Sequence, residues 1–351
     1  MSGVNLKRLS EELGLSISSV SKALRDSYEI SVETKKRVKA MAEKLNYQPN
    51  PFARGLRKRN SIMIAVVIPE IANNFFALAI DGIQLVAQQK GYHVLTYLTH
   101  ENANDQESTV KHLQGGRVDG VLISLCSDTA SGHQLAALLD TGCPVVFFDR
   151  IPDMPHYPSV TTDDFEGGFK ATEHLIQSGC KKIAYLRVRG YLSTTENRMS
   201  GYLAALKKYN LPEIPKMIVE CTNDDETNKV LIKKLLRMKG RPDGILSSIE
   251  KLAISTYYVC NDLKLKMPQQ LKIISFSCLR TASLLSPALS TITPPAFEIG
   301  KESAALLFRM IEKKTFGNRI DQIVLKSSLT ARDSSRKKQI VSKPAINKSL
   351  P

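Results

Sequence analysis

Four short apolar runs, "IMIAVVI", "HVLTYL", "VDGVLIS" and "PVVFFD", follow one another between residues 62 and 149, and stretches of helical character such as 76–89 separate them. Runs this short and this rich in β-branched residues suit strands buried on both faces, and a helix between successive strands implies parallel pairing. The alternation restarts at "SVTTDD" and continues through "KIAYL", "MIVEC", "DGILSS" and "LKIISF". Two doubly wound α/β halves are therefore expected.

The first 60 residues follow a different period. Asn5 can cap a helix whose Leu6, Leu9 and Leu13 recur at three and four, and Gly14 ends it. Ser16 offers a second N-cap two residues later, a turn too tight for the two helices to lie side by side. A third helix begins after Ser31, with Val38, Met41, Ala42 and Leu45 on one face. The expectation is an all-α helix-turn-helix head. In its second helix Val20 and Leu24 share the inward face, while Ser18, Lys22 and Arg25 share the outward one. That face suits a DNA major groove: Ser18, Ser19 and Ser21 allow close approach and offer hydroxyls to phosphates, and Lys22 can donate to guanine O6 and N7. Ile17, three before Val20, fits either the head core or a thymine methyl, and Lys22 fits either a base edge or solvent.

Charge separates the chain in the same way. Of the net +15, residues 1–60 hold 13 Lys or Arg against 6 Asp or Glu, the chain after Ser334 holds five and none, and only +3 lies between. A basic head on a nearly neutral body fits a nucleic-acid-binding module attached to a globular domain. The tail, residues 335–351, has no apolar period and is expected to be disordered. Between head and body, "NYQPNPFARGLRKRNS" breaks the third helix at Pro49 and Pro51 and continues as a basic segment with Gly55 inside it. So short a segment cannot hold a helix alone in water. It is either a linker or a conditional helix whose leucine is a minor-groove wedge.

Other classes find little support. No run of about 18 apolar residues could span a membrane, and the opening "MSGVNLKRLSEELG" carries no apolar run of signal-peptide type, so a cytoplasmic protein is expected. The six cysteines are widely spaced, without a CxxC pair, which favours buried small hydrophobes over zinc or disulfides. "GGRVDG" places its glycines before a strand and is no dinucleotide fingerprint. Neither G-x-S-x-G nor H-E-x-x-H occurs, and the six histidines are scattered. No cofactor, metal or enzyme activity is expected.

The run "LSISSVSKALRDSYEISVETKKRVKAMAEKLNYQPNPFARGLRKRNSIMIAVVIPEIANNFF" resembles the LacI/GalR family of bacterial transcription regulators. The similarity continues through "PVVFFDR", "SVTTDDFEGGFKATEHLIQSGCKKIAYL", "ENRMSGYLAAL" and "LSTITPPAFEIGKESAALLF" and covers residues 3–333. It implies a helix-turn-helix domain at 1–48, a hinge at 49–60 and a type I periplasmic-binding-protein-like core at 61–334. Within the core it implies an N-subdomain of about 61–160 and 293–320, and a C-subdomain of about 161–290 and 321–334. It further implies a homodimer on a palindromic double-stranded operator, controlled by a small-molecule effector, a carbohydrate or derivative, held in the core cleft.

On this resemblance, DNA contacts fall to Asn5, Ser16, Ile17, Ser18, Ser19, Ser21, Lys22, Arg25, Ser31 and Tyr47 in the head, and to Asn50, Ala53, Arg54 and Leu56 in the hinge, Leu56 as the wedge. Effector contacts fall to Phe75, Phe76, Asp149, Arg150, Arg198, Ile249 and Ser277, with Phe297 after the third crossover. The chain also departs from the family. Ile249 and Glu250 stand where Asn-Asp or Asp-Asp is usual, "SFS" at 275–277 replaces Gly-Phe-Asp, and Thr293 and Pro294 stand where Arg or Lys and Gln are frequent. A different sugar, a larger or phosphorylated ligand and a protein partner all stay open. The competing reading is a ligand-binding protein of the same core fold, cytoplasmic or secreted, without a DNA function.

Overall fold

In the computed structural model, which describes residues 5–47, 61–113, 117–127, 143–152, 157–190, 192–313 and 321–336, the chain divides into two units, Met1–Ser61 and Ile62–Pro351. Side-chain caps define the first. Helix α1 (Leu6–Leu13) opens where the Asn5 side chain accepts from the Arg8 amide at 3.0 Å, and it ends at Gly14, whose φ of 65° is in the left-handed region. Ser16 caps α2 (Ile17–Leu24) by accepting from the Ser19 amide at 3.0 Å, and Ser31 caps α3 (Val32–Lys44) by accepting from the Thr34 amide at 3.2 Å. Each cap satisfies a donor the helix leaves unpaired, worth about 1 kcal/mol. Leu9, Leu13, Val20, Ala23, Val38 and Ala42 form the buried core, with Leu24, Met41, Leu45 and Tyr47 packed partly buried around it.

The second unit begins β1 (Met63–Ile68), α4 (Asn74–Gln89), β2 (His93–Leu98), α5 (Ala103–Leu113), β3 (Gly120–Ile123), β4 (Val145–Phe148), β5 (Ser159–Thr162). It continues through α6 (Asp164–Gln177), β6 (Ile183–Val188), α7 (Ser193–Lys208), β7 (Ile218–Cys221), α8 (Asp225–Arg237), β8 (Gly244–Ser247), α9 (Glu250–Asp262), β9 (Lys272–Phe276) and β10 (Ser290–Thr293). Helix α10 (Ala296–Lys313) and β11 (Gln322–Leu325) return to the first half, and β12 (Ser328–Thr330) to the second. The first sheet runs β2-β1-β3-β4-β5-β11, all parallel. The second repeats that order as β7-β6-β8-β9-β10-β12, with β12 antiparallel at its edge. In both, strand order reverses beside the first strand, which opens a crevice at the strands' carboxyl ends.

The chain crosses between sheets at other places than expected. "SVTTDD" does not open the second half: β5 pairs with β4, Val160 opposite Phe148, and Val160 is buried in the first core. Residues 321–334 do not all belong to the second subdomain either, because Gln322–Leu325 pair with β5. An edge strand with one neighbour buries little, so its pattern carries no mark of which sheet it joins. The expected tail also starts too early. Ser335 is fully buried and donates to the Ser290 hydroxyl at 2.6 Å, and Ser334 donates to the Ile273 carbonyl at 2.7 Å. The hinge at 49–60 and residues 337–351 lie outside the described residues.

Glycine brings the helices of each half together. A Cβ at Gly168 would lie 2.1 Å from the Arg198 carbonyl oxygen, and one at Gly201 would lie 2.0 Å from that of Phe165, so α6 and α7 touch backbone to backbone. That approach places the side chain of Arg198, on α7, beside Asp164, at the start of α6.

Candidate functional site

In the first unit, α2 turns Val20 and Ala23 inward and leaves a short polar face outside. Ile17 is 48% exposed, so it joins that outward face and not the core. Ser18 and Arg25 are exposed, while Ser19, Ser21 and Lys22 are partly exposed. Arg25 folds back along its helix, donating to the Ser21 carbonyl at 2.9 Å and the Ser21 hydroxyl at 3.1 Å. Lys22 is not simply solvated: it forms an ion pair with Glu29. A pair this exposed contributes at most about 1 kcal/mol, so it leaves the cation free to exchange partners. Asn5, Ser16 and Ser31 are helix caps, and they sit where backbone N–H groups and the helix dipole favour a phosphate. Tyr47 packs partly buried on the head core, where loss of solvent raises its phenol pKa. Asn50, Ala53, Arg54 and Leu56 lie outside the described residues.

In the second unit a cavity of about 320 Å³ lies between the two sheets, lined by residues that follow their strands' carboxyl ends. Phe75, Phe76, Asp149, Arg150, Arg198, Ile249 and Ser277 all line it. Phe297 does not. It sits in the first turn of α10, its carbonyl against Gly82 of α4 and Lys301 5.8 Å from its ring centre. Sequence placed it near a crossover, but helix packing took the residue elsewhere. Phe76 is almost fully buried and carries the Arg150 guanidinium 5.5 Å from its ring centre, so Phe75 is the more open aromatic.

Both arginines are held. Arg150 donates to Glu101 at 2.6 Å and lies 3.8 Å from Asp149. Arg198 donates to Asp164 at 2.7 Å and to the Ser248 carbonyl at 2.7 Å, with its guanidinium 4.0 Å from the centre of the Phe276 ring. Burial pushes Asp149 up to about 6, although Arg150 and Arg198 pull in the other direction. Burial also raises Asp164, opposed by the Arg198 charge beside it. Asp149 adopts a left-handed φ of 59°, as do His100 at 50° and Glu101 at 56°. Such backbone is uncommon outside glycine and concentrates here at the cavity wall.

Sequence reasoning missed Glu101, Asp164 and Asn74. Glu101 follows β2 by a turn with no distinguishing pattern, and Asp164 reads as an ordinary acid in a first helical turn. Asn74 donates to Glu250 at 2.6 Å across 176 residues, which no local signal reveals. Of the cysteines, five are buried and Cys143 partly so, which fits small apolar side chains. Among the described residues no helix is long and apolar enough to cross a membrane, and no group of three His, Cys, Asp or Glu could hold a metal ion.

Residues 61–333 match the family described as periplasmic binding proteins and sugar binding domain of the LacI family, and residues 7–50 match bacterial regulatory proteins, lacI family. The chain is 28% identical over 323 residues to catabolite control protein A of Priestia megaterium, covering 91% of this chain and 96% of that one. The lac repressor dimer bound to operator and the anti-inducer ONPF is similar in fold, with a TM-score of 0.84 at 21% identity over 95% of this chain and all of that one. A complex of the transcriptional regulator CelR with cellobiose gives a TM-score of 0.72 at 22% identity, covering 94% and 99%.

Proposed function

We propose, from the premise that this chain belongs to the LacI family of bacterial regulatory proteins, that it is a cytoplasmic, homodimeric repressor reading a palindromic operator through α2. The observation that supports the DNA role is the outward face of α2: Ile17, Ser18, Ser21, Lys22 and Arg25 project from a helix whose Val20 and Ala23 are buried. Small hydroxyls beside two cations give phosphate contact and base reading on one face. The salt response tests it. With about 13 cations in residues 1–60, affinity for the preferred site should fall about tenfold or more over a few-fold rise in salt. A chain lacking residues 1–60 should not bind. Sequence-specific binding by that truncated chain would overturn the assignment.

The effector we infer is an uncharged, hydroxyl-rich molecule, a carbohydrate or derivative. Arg150 and Arg198 are bonded to carboxylates, and Lys251 donates to the Asn223 carbonyl at 2.8 Å and lies 3.5 Å from Asp225. The same cavity presents Glu70, Glu101, Asp149 and Glu250. A phosphorylated ligand would meet these acids with each lining cation already engaged. Calorimetric titration of the full chain with unphosphorylated mono- and disaccharides, cellobiose included, and with their phosphate esters tests this reading. Neutral sugars should bind and esters should not.

A further inference from the structure

The departures from the family pattern at 250 and 277 turn out to be neighbours in space. Glu250, in the first turn of α9, extends its carboxylate to the end of β9, where Oε2 accepts from the Ser277 hydroxyl at 2.7 Å and the Cys278 amide at 3.1 Å. A carboxylate thus occupies the end of β9 although residue 277 is serine. The other oxygen, Oε1, accepts from the Asn74 side chain at 2.6 Å. Asn74 opens α4, against the first sheet, whereas Glu250, Ser277 and Cys278 belong to the second, so this bond crosses the cleft. Glu250 also lines a second pocket outside the cavity, sharing Glu70, Asn73, Ile249 and Lys251 with it.

We propose that Glu250 is the specificity-determining residue of the cleft: anchored by Ser277 and Cys278, its carboxylate bonds Asn74 across the cleft, and a ligand hydroxyl takes the place of Asn74 when an effector binds. The exchange is donor for donor. A hydroxyl replaces the Asn74 amide on Oε1, the anchored oxygen keeps its two partners, and no charge becomes unpaired. A phosphate has no proton to offer in its dianionic form and would face the carboxylate directly. This rests on the reading of the effector as a neutral, hydroxyl-rich molecule.

Because Asn74 competes with the ligand while Glu250 receives it, their substitutions move affinity in opposite directions. A purely structural contact would move both the same way. The test is calorimetry on the full chain, with cellobiose, glucose and ribose as probes and glucose 6-phosphate as the charged control. Asn74→Ala should tighten binding of whichever neutral sugar the unaltered chain binds, by about two- to tenfold. Glu250→Gln, of the same size, should weaken it by about tenfold or more, the usual effect of losing a charged acceptor. Thermal melting of both variants checks that the fold is retained. A change of the same sign in both variants, or no change in either, overturns the role of Glu250 while leaving a neutral effector standing. Binding of glucose 6-phosphate alone, or of none of the four probes, overturns both.

Discussion

On α2 the candidate recognition residues lie close together in sequence, between Ile17 and Arg25, partly or fully exposed and loosely partnered, as in the Lys22–Glu29 pair, whose side chains are 39% and 46% exposed. The cleft draws its residues from strand ends and from the helices that follow them, between Pro69 and Pro294, and in the Arg198–Asp164 pair the two side chains are only 7% and 4% exposed. The contrast teaches where charge is costly. An exposed pair can be broken and remade with DNA at little expense, whereas a buried pair must stay intact for the fold to survive.

The largest effect expected from this comparison is on stability. Arg198→Ala strands the buried Asp164 carboxylate and should lower the stability of the α/β unit by about 3–5 kcal/mol in urea unfolding followed by circular dichroism. Adding Asp164→Asn should recover part of that loss. A deficit near zero would mean that solvent reaches the pair and that the contrast with the head is false. Loss of effector response in Arg198→Ala is therefore no evidence of ligand contact unless the fold is shown to persist.

Next in size is a pH effect confined to the cleft. The Asp149 carboxyl titrates at about 6 in the fold against an ordinary 3.8, so between those values the folded chain holds more proton than the unfolded one. Its contribution to stability therefore falls as pH rises through that window and is level above it. Asp149→Asn keeps the neutral form at every pH. It should stabilise the unit above pH 6, by on the order of 2–3 kcal/mol at most, with the gain disappearing towards pH 4. Unfolding measured across pH 4–8 checks the sign, and a gain that grows towards acid would contradict it.

Smaller effects are expected on α2, and they should appear in DNA binding and not in stability. Lys22→Ala should cost roughly 1–3 kcal/mol on the preferred operator and relax preference at one position per half-site if the amine reads a base edge. Selection from random DNA with both proteins distinguishes this from a phosphate contact, which would weaken all sequences alike. Glu29→Gln removes the acid that holds Lys22. It should tighten operator binding by a few tenths to about 1 kcal/mol, read by fluorescence anisotropy at low salt. An unchanged affinity would show that the pair costs the head nothing.

The head was legible because its signals are local. Asn5, Ser16 and Ser31 each stand one position before an apolar period, and Gly14 stands one position after one, so caps and stops mark the helices without reference to the rest of the chain. Ile17 shows the limit. Its spacing to Val20 permits the core, but the fold turns Val20 and Ala23 inward and leaves Ile17 exposed. In the body the strands that carry apolar runs were legible, the edge strands β2 and β7 among them, whereas the short edge strands β11 and β12 near the end of the chain were not.

What the sequence alone determined was the kind of each element and the residue types it brings: three capped helices, then β-branched runs separated by amphipathic helices. Chain geometry sets those periods within a few residues, whatever else the molecule does. Only the tertiary structure decided who meets whom. Asp164 and Arg198 are 34 residues apart, Asn74 and Glu250 are 176 apart, and β11 joins a sheet whose neighbouring strand ended near residue 162. A buried charge needs a partner because burial removes water, yet its own side chain says nothing of where that partner lies. In this chain the backbone contact of Gly168 and Gly201 and the return of α10 and β11 supply that information.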